Sequence, residues 1–80
     1  MRKKRDKWIQ PEWDCHNKTY EEVENELGNW ILLKQDYLPL PIITGNSIPM
    51  RKRVIRIIEG IGFDWIDHPT NSGKIIVTNG

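Results

Sequence analysis

Asp14 and His16, two positions apart, are the first pair in this chain of 80 residues whose types suit proton transfer. A carboxylate beside an imidazole can orient the ring, and an oriented imidazole can take a proton from water or give one to a leaving oxygen. A second group lies further on: Thr44-Gly45-Asn46-Ser47, followed by Arg51, Lys52 and Arg53. Leu40, Ile42 and Ile43 read as a short strand, Gly45 and Asn46 break it, and Ser47 before Pro49 opens a helix. A helix that begins straight after a strand aims its unpaired N–H groups and positive dipole end at the turn, which favours a phosphate or carboxylate there. Three cations in its first turns are each unfavourable by roughly 0.3 to 1 kcal/mol against that dipole, a cost an anion would relieve. Each group also has a plainer reading. Asp14 and His16 can stabilise a turn, and a one-glycine turn with a basic helix can be an ordinary strand-to-helix connection with a solvated face. Two residues do not make a zinc site, which takes three or four protein ligands, and no metal-ligand cluster is evident. The cofactor is therefore unassigned, a divalent cation being compatible with phosphate chemistry.

The elements that must position these residues follow from periodicity. Trp13-Asp14-Cys15-His16 reads as a strand with Trp13 and Cys15 on one face and Asp14 and His16 on the other. Pro11 precedes it, and Asn17-Lys18 is a turn. Thr19 and Glu22 form a capping box at the start of a first helix, whose apolar stripe is Tyr20, Val23, Leu27, Trp30 and Ile31. Pro39 and Pro41 predict its end near Lys34 or Gln35, and Gly28 weakens it by roughly 1 kcal/mol relative to Ala. A second helix starts at Ser47 or Ile48, buries Val54, Ile57, Ile58 and Ile61, and stops at Gly60 or Gly62. Phe63 to His68 and Lys74 to Thr78 are the last strands, joined by a Pro69 to Gly73 turn. Ile75, Ile76 and Val77 are apolar without alternation, which predicts a covered or central strand. The order is βαβαββ. If the first two strands are parallel, their carboxyl ends share one sheet edge, so Asp14 and His16 would face the Thr44 to Ser47 turn.

Composition limits the function classes. A chain this short buries about 60% of its unfolded surface and builds one core, so residues 8–80 form one domain behind a basic, disordered arm at 1–7. Lone Cys15 makes no intrachain disulfide and reads as a small buried residue, which fits a reducing compartment. No apolar run approaches the 18 or so residues of a membrane span, and Trp8-Ile9-Gln10-Pro11-Glu12 is no signal-peptide apolar region, so the expectation is cytoplasmic with no membrane contact. The net charge of +1 conceals segregation. Arg2, Lys3, Lys4, Arg5 and Lys7 crowd the arm, Glu21, Glu22, Glu24 and Glu26 crowd the first helix, and Arg51, Lys52, Arg53 and Arg56 crowd the second. The basic blocks are candidates for polyanion contact, the arm being alternatively a solubilising tail.

From residue 12 to about residue 78 the chain resembles the Smr (small MutS-related) domain family. Trp13-Asp14-Cys15-His16-Asn17 and Thr19-Tyr20-Glu21-Glu22 stand where that family has a Leu-Asp-Leu-His-Gly type motif and a helix opening with Thr and acidic residues. Thr44-Gly45-Asn46-Ser47 is similar to its His/Thr-Gly-X-Gly turn, and Gly73-Lys74-Ile75-Ile76-Val77 to its closing strand. Asn17 and Ser47 replace two family glycines. The resemblance implies an α/β chain folded as an α+β two-layer sandwich, like the C-terminal domain of bacterial translation initiation factor three. Both helices would lie on one face of a mixed four-stranded sheet. It also implies DNA or RNA as partner and structure-selective endonuclease or nickase activity. Asp14 and His16 would then be catalytic, Thr44 to Ser47 the phosphate loop, and Arg51, Lys52 and Arg53, with Arg2, Lys3, Lys4 and Arg5, the backbone grip. With both glycines replaced, the expectation is a nucleic-acid-binding Smr-like domain in which hydrolysis is the further step. The alternative is a non-catalytic adaptor that binds a protein partner through its acidic helix. Trp8 or Trp13 could also stack on an unpaired base, although core packing is the commoner use of Trp in so small a domain.

Overall fold

Leu40 and Ile42 alternate with Pro41 and Ile43, as Ile75 and Val77 alternate with Lys74 and Ile76, and in both strands the first pair is fully buried. That alternation sets the architecture. The computed structural model describes residues 11–80, in which β1 (Trp13–Asp14), α1 (Tyr20–Leu33), β2 (Leu40–Ile43), α2 (Ile48–Gly60), β3 (Asp64–Asp67) and β4 (Lys74–Asn79) follow in order. The arm at 1–7, with Arg2, Lys3, Lys4 and Arg5, and Trp8 lie outside the described residues. The strands form one open sheet in the order β1-β2-β4-β3, with β1 parallel to β2 and β4 antiparallel to both neighbours. This is the expected α+β fold with a mixed four-stranded sheet.

One face of the sheet is covered. Register aligns Trp13 with Ile42 and Ile42 with Ile75, and Leu40 with Val77. These side chains form one core with Val23, Leu27 and Ile31 of α1 and Met50, Val54 and Ile58 of α2, so both helices pack on that face. Burying each large aliphatic side chain contributes about 1.5–3 kcal/mol. The opposite face carries Pro41, Ile43 and Ile76, all half-buried, and Ile66, which is exposed. The run Ile75-Ile76-Val77 is therefore central in the sheet yet covered on one side.

Local chemistry explains the boundaries. Thr19 Oγ1 accepts from Glu22 N at 3.1 Å and Glu22 Oε1 from Thr19 N at 2.8 Å, a complete capping box. Ser47 Oγ accepts from Met50 N at 3.2 Å, and α2 ends where Gly62 takes a φ of +85°, a conformation open to glycine. Tyr20, expected in the apolar stripe, is exposed at the first position of α1, where the Arg53 guanidinium lies over its ring at 4.2 Å. Trp30 is half-buried and packs at a tilt on Trp13, with ring centroids 5.4 Å apart. The first strand is shorter than its alternation predicts. Only Trp13 and Asp14 pair with β2, and Cys15–Asn17 form a single 3-10 turn. The cause is Asp14, whose carboxylate accepts from His16 N at 2.9 Å and so draws the chain out of the ladder. β3 is likewise confined to Asp64–Asp67, Phe63 being buried beside it.

Candidate functional site

Three chain segments meet at one edge of the sheet. Parallel pairing brings the carboxyl ends of β1 and β2 together, and Ile43 faces Lys74 at the start of antiparallel β4. The turn before β4 therefore arrives at the same edge as the segments after Asp14 and Ile43. The Gly73 carbonyl fastens it there, accepting from Thr44 N at 2.8 Å, Gly45 N at 3.0 Å and Thr44 Oγ1 at 3.2 Å. Thr44 is the one buried polar side chain among the described residues, and this bond satisfies it.

His16 stands on the short turn after β1 rather than on the strand, and it is still held by Asp14. Its Nδ1 lies 2.7 Å from Asp14 Oδ1, the same oxygen that accepts from its backbone N–H. The backbone bond is the main reason that the Asp14 carboxyl titrates below its ordinary value, the ring contact adding to it. An ionised carboxylate can only accept, so Nδ1 carries the proton and neutral His16 presents Nε2 as an acceptor. That nitrogen faces Gly45: a Cβ built on Gly45 would sit 3.2 Å from it. Gly45 also has a φ of +69°, so both the backbone and the neighbouring ring select glycine.

Between His16 and Gly45 opens a cleft of about 250 Å³, walled by Lys18, Asn46, Ser47 and the buried Cys15 and Met50. Burial pushes the Cys15 thiol above its ordinary value, so it is a wall rather than a nucleophile. Lys18 lies with its ammonium 4.7 Å from the centroid of the Trp13 ring, which anchors a cation at the cleft. The end of α2 contributes less than its position predicts. Pro49 has no N–H and the Met50 N–H is taken by Ser47, whereas the Asn46 and Ile48 N–H groups have no partner among the described residues.

The expected basic grip divides. Arg51 reaches the sheet edge, where its Nη2 lies 2.7 Å from Asp67 Oδ1 and its guanidinium lies over Trp65 at 5.6 Å. Asp67 and Trp65 are alternate residues of β3 on the helix-covered face, which is why an α2 side chain meets both. Arg53 turns to the other flank of α2 and binds Glu24 of α1 at 2.9 Å, where Arg56 joins at 2.8 Å. Lys52 points away from the core between them and is exposed. Thus Asp14, His16, Thr44, Gly45, Asn46, Ser47 and Arg51 converge, and Lys52 and Arg53 do not. Glu24 is occupied within the domain, which removes one charge from the acidic helix face.

Sequence reasoning missed Lys18 and the Pro69 to Gly73 turn as parts of this edge. The signal for Lys18 was its place two residues after His16; the turn became visible only through β4 pairing. Among the described residues no three His, Cys, Asp or Glu side chains gather as metal ligands, and no helix is long and apolar enough to cross a membrane. Comparisons with family models, curated proteins and solved structures give no significant match for this chain.

Proposed function

We propose that this chain is an Smr-like domain that binds the sugar-phosphate backbone of DNA or RNA at the shared edge of β1, β2 and β4, and that it hydrolyses a phosphodiester there. The observation that carries the reading is His16, whose Nδ1 is fixed by Asp14 so that Nε2 faces the Gly45 turn. A phosphodiester lying on that turn meets the Asn46 and Ile48 N–H groups, with Lys18 and Arg51 flanking it. Preorganised donors of this kind stabilise the charge that builds on the equatorial oxygens as phosphorus becomes five-coordinate.

The chemical step assigned to His16 is a proton transfer. Nε2 removes a proton from the attacking water as the water oxygen bonds to phosphorus; the bond to the leaving oxygen breaks, and that oxygen takes its proton from solvent. Such a base contributes typically 10² to 10⁴ in rate. Binding needs only the turn and the cations, so the two activities separate on mutation. His16→Ala should abolish nicking of a labelled oligonucleotide, measured with and without divalent ions, while affinity from fluorescence anisotropy stays within about twofold. Cleavage unchanged in His16→Ala would remove the base assignment. Binding without cleavage on branched, duplex and single-stranded substrates would leave a binding domain, and absence of binding even at low salt would favour the protein adaptor.

A further inference from the structure

The cleft beside His16 does not end at the α2 terminus. Gly45, Asn46 and Ser47 also line a second cleft of about 170 Å³, whose far side is Arg51 and Ser72. Arg51 and Ser72 in turn line a third of about 540 Å³, which runs along Asp67, His68 and the Pro69 to Ser72 turn. Shared lining residues set the three clefts side by side along the sheet edge, with the His16 cleft at one end, Arg51 at the middle and the β3 to β4 turn at the other. The far end is the largest part, and its volume lies in the range of ligand pockets, about 300–1,000 Å³.

Hydrogen bonding sets the chemistry of that end. His68 Nδ1 accepts from Thr70 N at 3.2 Å and from Asn71 N at 3.1 Å, so a neutral His68 carries its proton on Nε2. Asn71 Oδ1 accepts from Gly73 N at 2.9 Å, and among the described residues the Asn71 amide NH₂ has no acceptor. Asp67 Oδ1 meets the Arg51 guanidinium at Nη2 while the guanidinium lies over Trp65, and a guanidinium carries five N–H donors, more than this one oxygen can take. The turn's side chains thus present mainly donors, with the Asp67 carboxylate the exception beside Arg51.

We infer that the far cleft is a second subsite for the same nucleic-acid strand: Arg51 and the Asn71 amide hold a flanking phosphodiester while another lies before His16. This rests on the nucleic-acid reading above and deepens it, because it requires a single strand several nucleotides long and sets the strand's path past His16. A protein built only around the His16 turn would bind a dinucleotide as well as a longer strand.

The test compares wild type and Asn71→Asp against an eight-nucleotide single strand and a dinucleotide, in ribo and deoxy forms. Aspartate keeps the oxygen that accepts from Gly73 N and replaces the amide donor by a negative charge, so the turn retains its internal bond. Wild type should bind the octamer more tightly than the dinucleotide. The variant should lose about tenfold or more in octamer affinity, as expected when a hydrogen bond to a charged group is lost, and little for the dinucleotide. In amide spectra of wild type, Thr70 and Asn71 should shift with the octamer and stay still with the dinucleotide. Equal affinity for both lengths, or an Asn71→Asp loss that is the same for both, would overturn the second subsite while leaving binding at His16 intact. No binding of either strand would instead remove the nucleic-acid reading itself, and the subsite with it.

Discussion

Arg51 and Arg53 stand two residues apart on one helix, carry the same charge and stack on an aromatic ring, yet they serve different ends. Successive helical residues are about 100° apart, so Arg51 faces β3 and the groove, while Arg53 faces α1. Both are paired, Arg51 with Asp67 at the mouth of a cleft and Arg53 with a glutamate that a second arginine also holds. The buried Arg53 Nε has no hydrogen-bond partner among the described residues, and the guanidinium is held through Nη1 by Glu24. A run of basic residues is therefore a weak guide to a binding surface until the helix face is known. One cation of such a run can belong to a site, a second to an interhelical clamp, and a third to solvent.

The contrast also includes the third side of α2, which makes the core, and here the largest effect is expected. Ile58, on α2, is fully buried in the core shared by the two helices and the sheet. Ile58→Ala should cost roughly 2–5 kcal/mol in denaturant unfolding. A loss below about 0.5 kcal/mol, the scale of a surface change, would mean that α2 presents another face to the sheet.

The two flanks are compared by substituting one arginine at a time. On the proposed nucleic-acid reading, Arg51→Ala should weaken binding of all nucleic-acid sequences alike and lower the salt slope of log K by about one unit, the change expected for one phosphate contact. Arg53→Ala should leave affinity and slope unchanged and cost stability only on the scale of partly exposed ion pairs, about 0–1 kcal/mol. Equal loss of affinity in both variants would erase the distinction between the flanks and restore a continuous basic grip.

The smallest effect concerns pH. Because the folded Asp14 carboxyl titrates below its ordinary value of 3.8, its contribution to stability is complete above that pH and disappears as pH falls through the folded value. A carboxyl-detected NMR titration should place its midpoint below 3.8. In His16→Ala part of the depression should survive, since the backbone N–H of residue 16, its largest single cause, remains. Full return to the ordinary value in that variant would show that the ring, and not the main chain, holds the carboxylate.

Much of the fold was legible because local signals agreed with one another. The Thr19 and Glu22 box, the stripe Val23, Leu27, Ile31 and the Ser47 and Pro49 opening of α2 each appear in the structure as the sequence predicts. The apolar run at Ile75 correctly indicated a central strand. What could not be read needed knowledge of partners distant in the chain. Alternation extended the first strand to His16, since a side chain capping the backbone two residues ahead leaves no trace in a hydrophobic pattern. Asp14 and His16 meet all the same, through a different backbone path. Likewise Asp67 and the residues around His68 acquire their place at the site only when β3 pairs with β4 and β4 with β2.

The Gly73 carbonyl has a consequence for how freely this domain can vary. It receives three donors from Thr44 and Gly45, and a Cβ on Gly73 would come within 3.1 Å of the Gly45 carbonyl oxygen. A hairpin connection normally absorbs insertions and grafted peptides with little effect elsewhere. Here its last residue is a fixed post for a loop 29 positions earlier in the chain. Added length is accommodated only on the Pro69 side of Asn71; beyond that point a single inserted residue would slide the post away from Thr44 and let the glycine loop drift off the histidine it faces.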